Sequence, residues 1–387
     1  MRHAEDKVAF VYSDAFTRYK FTEDHPFNPK RLEMTLDLIH TLRLLDGVPL
    51  IEPVPATMEQ LLAVHDSRYL DAVQRASLPD ADPDSYAPWG LGTEDTPIFP
   101  GMHDASALVA GGTVQAAELV MSGKADHAIN LAGGLHHAHR AQASGFCVYN
   151  DIAVAIAHVK KKYAGARIAY IDTDAHHGDG VQWMFYEDPD VLTISFHETG
   201  KYLYPGTGEI TERGEGRGYG YSLNVPLEAF TEDESWMESL TAILEPVLDA
   251  FAPDLIIHQN GCDAHRYDPL THLCATTRIY REMPRLTHRL AHKLCGGRYV
   301  AVGGGGYDIW RVVPRAWTML WAEMLGRPLP EALPPEWIAR WQGDAPDPLP
   351  TQFVDPPNLF EPIPRRAEIE EKNQITVRRV LNGTPFL

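Results

Sequence analysis

Cysteine is scarce in this chain of 387 residues: there are four, Cys147, Cys262, Cys274 and Cys295, far apart and with no CxxC pair. That spacing excludes a disulfide framework of the secreted kind and a structural zinc site built on four thiolates; it reads as free thiols in a reducing compartment. Basic residues are outnumbered, 34 Lys and Arg against 53 Asp and Glu, for a formal charge of −19, which argues against a general affinity for nucleic acid or anionic membrane. No stretch reaches the roughly 18 apolar residues of a membrane span. The opening MRHAEDKVAFVYSD carries acids where a signal peptide needs a basic start and a long apolar core. The expected location is therefore the cytoplasm. With 44% hydrophobic and 22% charged residues, the composition excludes disorder, collagen and coiled coil and leaves a chain able to bury a full core.

What is present is an alternation of short, β-branched apolar runs with longer amphipathic segments, the pattern of an α/β protein with a parallel sheet. Strands are expected near 8–13, 128–132, 167–172, 191–196, 221–226, 254–258 and 298–302. Apolar residues at three- and four-residue spacing predict helices around 30–45, 57–76, 103–122, 151–163, 233–250, 277–294 and 312–325. The Pro- and Asp-rich stretch from Gly343 to Pro364 reads as an extended tail ending in one short charged segment, 365–382. The expected organisation is one catalytic domain over 1–340 with a Pro-rich tail, 341–387, wrapped over it.

Four clusters of polar residues each follow a predicted strand. Asp172-Thr173-Asp174-Ala175-His176-His177-Gly178-Asp179 packs three carboxylates and two imidazoles into eight residues. A capped strand-to-helix turn would account for Gly178 and Asp179 but leave the others idle. In an extended stretch Asp172, Asp174 and His176 point one way, which suits a metal held by Asp174 and His176. The others are Gly133-Gly134-Leu135-His136-His137-Ala138-His139, His258-Gln259-Asn260-Gly261-Cys262-Asp263, and Gly303-Gly304-Gly305-Gly306-Tyr307. The glycine run is neither GxGxxG nor GxxxxGK[ST], so it is no nucleotide loop; it allows close backbone approach and delivers one phenol.

The carboxyl ends of parallel strands share one edge, so these four clusters converge on one site. The result is a metal centre of two Asp and one His, flanked by two histidines and a tyrosine. Such ligands suit Zn²⁺, and also Fe²⁺ or Mn²⁺, and leave coordination positions open. Imidazoles to move protons and a phenol to stabilise an oxyanion make this a site for metal-assisted hydrolysis of an amide or ester.

The runs GGLHHAHRAQASGFCVYNDIAVAI, IDTDAHHGDGVQ, SFH followed by YPGTG, and VGGGGYDIWRVVPRAW resemble the zinc-dependent histone deacetylase superfamily over roughly residues 8–325. HPFNPKR and QNGCDAHRYDPLTHL look especially like its bacterial acetoin utilisation branch. The resemblance implies a single-domain arginase-deacetylase fold, with a parallel sheet of about eight strands and the active site at their carboxyl ends. It implies removal of acetyl or other acyl groups from lysine side chains of proteins, zinc-activated water attacking the amide carbonyl. Asp174, His176 and Asp263 match the zinc ligands. His137 matches the general base and acid and His136 its electrostatic support. Asp172 stands behind His136 and Asp179 behind His137, and Tyr307 matches the phenol on the scissile carbonyl. Phe146, with Gly145, matches one wall of the acyl-lysine tunnel. Tyr204 stands where the other wall is usually Phe, which keeps the aromatic face and adds a hydroxyl. Asp95 matches the rim acid that grips the substrate backbone, Leu270 the tunnel foot, and Arg31 an arginine of the inner cavity. A structural K⁺ is implied beside the zinc, on Asp172, Asp174, His176, Ser195 and Phe196, and a second on Phe185, Asp188, Val191 and Tyr221.

The same core would serve an acetylpolyamine or other small-amide amidohydrolase. A dimanganese ureohydrolase would need bridging carboxylates that the region after Asp263 does not offer at DxD spacing, and a pseudoenzyme is disfavoured because every catalytic position is filled. His139, His177, His197, His258 and His265 are expected to be packing or supporting residues, since three ligands already complete a catalytic zinc site.

Overall fold

The computed structural model describes residues 6–387. Its strands are β1 (Val8–Val11), β2 (Leu50–Ile51), β3 (His127–Asn130), β4 (Ile168–Asp172), β5 (Val191–Glu198), β6 (Ser222–Leu227), β7 (Leu255–Gln259) and β8 (Tyr299–Val302). All pair in parallel, in the order β2-β1-β3-β8-β7-β4-β5-β6. Every residue of β3 to β8 is buried, which is why these strands read as continuous apolar runs and not as alternating ones. The last strand to be made, β8, lies between β3 and β7.

The helices are α1 (Lys30–Thr41), α2 (Met58–Leu62), α3 (Ser67–Ala76), α4 (Met102–Met121), α5 (Asp151–Lys162), α6 (Asp179–Met184), α7 (Asp233–Phe251), α8 (Ile279–Cys295), α9 (Val313–Met324), α10 (Pro335–Trp341) and α11 (Arg366–Asn382). All seven expected strands are present, each end within two residues of its expected place. β2 was not expected: two residues at a sheet edge, one of them exposed, carry no period. The single helix expected over 57–76 is two, because Asp66 turns its carboxylate onto the Arg68 amide and caps a new helix there. The short helices α6 and α10 were not anticipated.

The C-terminal segment is better built than its composition suggests. α11 is 17 residues long, buries Ile369, Asn373, Val377 and Val380 along one side, and packs on α7 and β6. Asn373 is satisfied throughout, donating to Thr231 Oγ1 and Ser235 Oγ and accepting from the Glu228 amide. Upstream, the extended stretch is fixed at buried Asp355. This carboxylate receives His265 Nε2 at 2.8 Å, both the amide and hydroxyl of Thr277 at 2.9 and 3.0 Å, and Arg315 Nη1 at 2.8 Å. Burial alone would raise its pKa; the bonds from His265 and Thr277 and the charge of Arg315 prevail and hold it well below the usual carboxylate range.

Replacing Asp355 with Ala strands Arg315 in the interior and should lower the unfolding free energy at pH 7 by about 3 kcal/mol, read by urea denaturation. Because the folded carboxyl ionises below its unfolded value of about 3.9, its contribution is complete above about pH 4 and is lost as pH falls further. The curves of the two proteins should therefore converge in acid; a difference under about 1 kcal/mol at pH 7 would place the tail's anchor elsewhere.

Candidate active site

Four adjacent strands, β3, β8, β7 and β4, end level with one another, and the loops that leave them carry the four polar clusters. Asp174 and His176 follow β4, and Asp263 follows β7. All three are buried, with ligand atoms within 4.8 Å of one another. His176 Nδ1 lies 3.1 Å from Asp174 Oδ1 and 2.9 Å from Asp263 Oδ2. The outer oxygens are occupied: Asp174 Oδ2 accepts from Gln259 Nε2 and the Gly305 amide, both at 2.7 Å, and Asp263 Oδ1 accepts from the Ala175 amide at 2.8 Å. Each carboxylate is thus turned so that one oxygen faces inward, the arrangement by which supporting hydrogen bonds orient metal ligands.

Two buried carboxylates repel one another unless a cation sits between them. The nearby guanidinium, Arg31, is committed to the carbonyls of Gly304 and Gly306, at 2.8 and 3.2 Å. Against the opposition of burial, Asp174 and Asp263 push His176 well above its ordinary value, so that a proton is held where a metal would be. Burial and the charge of Asp174 raise Asp263 to about 6. Two carboxylate oxygens, one imidazole nitrogen and an unfilled side fit a catalytic divalent ion.

Two histidine–carboxylate pairs flank this centre. His136 Nδ1 is 2.7 Å from Asp172 Oδ2, and His137 Nδ1 is 2.7 Å from Asp179 Oδ1. Their environments divide them. Burial lowers His136, yet Asp172 and Asp174 outweigh it and raise the ring to about 9; burial and the charge of His136 keep His137 below its ordinary value. One ring is set to carry charge and the other to accept a proton, although a bound cation draws His136 back down. Buried Asp151 supports both by accepting from Thr113 Oγ1, at 2.6 Å, and from the amides of Gly134 and Leu135, at 3.1 and 2.8 Å.

Tyr307 leaves β8 on the glycine run, its amide donating to Asp268 at 2.8 Å. Its ring stands edge-on to Phe146, and Tyr204 stands edge-on to His137, with centroids 5.7 and 5.2 Å apart. The two aromatics thus border the approach from opposite catalytic groups. Phe146 holds a positive φ of 67°, an uncommon conformation for a bulky residue, of the kind found at functional sites. The Tyr204 hydroxyl bonds Ser144. Asp95, half-buried, accepts from the Gly145 amide at 2.7 Å, which commits one oxygen to the loop that carries Phe146. Leu270 is half-buried and donates its amide to Asp268.

Around the implied potassium positions, Asp172 pairs with Ser195 across β4 and β5, with Phe196 next in line. Phe185, Asp188 and Val191 form a turn joined by amide-to-carbonyl bonds, and the Asp188 carboxylate meets Lys160 Nζ at 2.6 Å. Tyr221 accepts from the Thr193 amide. The five set-aside histidines all bond elsewhere: His177 to Thr207 and Gln182, His197 to Ser195 and Gly208, His258 to Thr173 and Tyr299, and His265 to Asp355. His139 reaches the second oxygen of Asp179 at 3.2 Å.

The sequence profile of the histone deacetylase domain matches residues 25–324. The chain belongs to the histone deacetylase family. Acetoin utilization protein AcuC of Bacillus subtilis (strain 168) is 56% identical to this deacetylase over 375 residues, covering 96% of each chain. AcuC of Staphylococcus aureus (strain Mu50 / ATCC 700699) is 44% identical, over 97% of this chain and 96% of the relative. Among solved structures, an HDAC homologue complexed with SAHA has a TM-score of 0.84 at 32% identity, over 95% of this chain and 100% of the other. An HDAC homologue from Aquifex aeolicus gives 0.81 at 31%, with the same coverage. The fold is therefore the arginase-deacetylase fold, and the chain is a hydrolase of a metal-dependent family that acts on acetylated substrates. No described helix is long and apolar enough to cross a membrane.

Gln259, Asp151 and Asp268 support the site and were given no role from sequence. Gln259 stood inside a quoted cluster, but nothing in its spacing singled it out. Asp151 reads as an ordinary first-turn acid of α5, and Asp268 lies five positions beyond Asp263 in an irregular loop.

Gly305 tests how closely backbone and ligands are fitted: a Cβ there would lie 2.1 Å from Asp263 Oδ2 and 2.8 Å from Asp174 Oδ2. Gly305→Ala should weaken divalent-metal affinity by about 10–100-fold, as loss of supporting contacts does, with an unchanged far-UV spectrum. Chelator competition measures it, and equal affinity would deny the glycine its spacing role.

Proposed function

We propose that this family member is a zinc-dependent lysine deacetylase that removes acetyl groups from protein side chains, with Asp174, His176 and Asp263 as the zinc ligands. The observation that carries the reading is the geometry of the site: two paired imidazoles, each held on its own carboxylate at 2.7 Å, beside a buried centre of two carboxylates and one imidazole. Bound there, zinc supplies Lewis acidity toward a carbonyl and makes water nucleophilic near neutral pH.

The chain's own residues do the rest. His137, neutral and fixed in one tautomer by donating Nδ1–H to Asp179, takes the proton of the attacking water at Nε2 and returns it to the departing lysine amine. His136, backed by Asp172, offsets the negative charge that develops on the carbonyl. Burial, with Asp263 and Asp174 close by, holds the Tyr307 phenol well above its ordinary range, so it keeps its proton and donates it as a hydrogen bond to the carbonyl oxygen. Phe146 and Tyr204 enclose the aliphatic stem of the substrate lysine between aromatic faces. Asp95 takes the substrate backbone at the rim, Leu270 lines the foot of the channel, and Arg31 sits in the inner cavity behind the glycine run. Potassium ions at the two positions named above would brace the β4 and β5 loops.

Tyr307→Phe should lower kcat by about 10²–10³-fold while leaving KM and metal content nearly unchanged. A panel of acetyl-lysine peptides and acetylated polyamines, with metal content measured on the same sample, decides the substrate class; turnover of the polyamines alone would overturn the protein-lysine reading. The base acts when deprotonated, so kcat/KM should rise with pH through a limb lying below the ordinary histidine value of about 6.5.

A further inference from the structure

At the opposite edge of the sheet, where the strands begin, three more imidazoles meet. His127 opens β3, and His288 and His292 lie four residues apart on one face of α8, the helical spacing that presents two imidazoles to one ion. Asp6, just before β1, completes the group. His288 Nε2 is 2.9 Å from His127 Nε2 and 3.0 Å from His292 Nε2. Asp6 Oδ2 is 3.6 Å from His127 Nε2 and 3.5 Å from His292 Nε2. All four ligand atoms fall within 4.8 Å of one another.

Proton counting shows what this arrangement needs. His127 Nδ1 lies 2.8 Å from the Gly297 carbonyl, which can only accept, so Nδ1 carries the proton and Nε2 of the neutral ring is a bare lone pair. His288 Nδ1 faces Glu323 Oε1 at 3.4 Å, and a carboxylate fixes the same tautomer. Two lone pairs then point at each other across 2.9 Å, with a third nitrogen alongside. One cation satisfies all three nitrogens and the carboxylate together. Ligands at zinc–nitrogen distances of about 2.0–2.1 Å in a tetrahedron stand about 3.3 Å apart, within a few tenths of an ångström of what is seen here. A metal-bound histidine commonly donates its other ring N–H to a carbonyl or carboxylate, as Gly297 and Glu323 permit.

We infer that Asp6, His127, His288 and His292 form a second divalent transition-metal site, of the closed four-ligand structural type, with zinc as its favoured ion. Three imidazoles and one carboxylate suit zinc; four protein ligands leave no place for substrate. The site joins the segment before β1 to the start of β3 and the last turns of α8. His127 is fully buried, while the side chains of His288, His292 and Asp6 retain 12, 19 and 26% exposure, which gives the ion an entry path.

The test is metal counting by plasma mass spectrometry on the full chain, stripped with chelator, reloaded with Zn²⁺ and desalted. Two zinc ions per chain are expected. The double variant His288→Gln/His292→Gln should hold one and keep its deacetylase activity within about twofold, since it leaves the catalytic edge untouched. Asp263→Asn should hold one as well, and adding Zn²⁺ should raise its Tm, a stabilisation through the remaining site alone. A double variant that holds as many ions as the wild type, or an Asp263→Asn variant that holds none, would overturn the inference and show the imidazoles to be a protonated hydrogen-bonded cluster. If the double variant fails to fold, Asp6→Asn serves in its place: about tenfold weaker uptake of the second ion is expected, and unchanged uptake counts against the site. Because Asp263→Asn reports this site without the catalytic one, failure of the catalytic reading leaves the result interpretable.

Discussion

Two carboxylates buried side by side, Asp174 and Asp263, dominate the energetics of this protein. Among the described residues neither finds a lysine or arginine partner, and both face the imidazole of His176. Such a pair is costly in a low-dielectric interior, and the surrounding structure is arranged to keep it there: Gln259, the Gly305 amide and the Ala175 amide take the outer oxygens. What remains is inward-facing negative charge for a cation; against burial, Asp172 and Asp174 raise His136, and burial with the charge of His136 lowers His137. The catalytic edge is thus an electrostatic construction first and a shape second.

Much of this could be read from the sequence, for a definable reason. Residues such as Asp174, His176, His136, His137 and Tyr307 are too polar to be core and follow apolar runs too regular to be anything but strands, so a parallel sheet brings them together. The resemblance to deacetylases then assigned them roles. Supporting residues were less legible because their importance is purely relational. Gln259 matters only since its amide spans from the Gly261 amide to Asp174, and Asp151 because two loop amides converge on it. The H-x₃-H pair of α8 was present in the sequence too, but its partners, Asp6 and His127, join it only through the fold.

The edges of the fold show the same limit. β2 and α6 are too short to display a period, and α11, with its charged surface, hides a buried line of four residues in a segment that reads as tail. Asp355 sits among prolines, in a composition that reads as an extended tail wrapped over the body, and nothing in that composition shows that it meets Arg315, His265 and Thr277 in the interior. Local composition reports what a segment is made of; burial depends on what the rest of the chain brings against it.

The place of β8 governs how the molecule comes into being. Strands β1 to β3 form one half of the sheet and β4 to β7 the other, and the only strand bridging them is made after all of these. A growing chain that has passed Asp263 possesses every expected ligand, but lacks the strand that joins the sheet half carrying the paired histidines to the half carrying the carboxylates. Contacts between residues so far apart in sequence form late and slowly. The catalytic edge is therefore incomplete until β8 has been made, and the same stretch of chain delivers Tyr307.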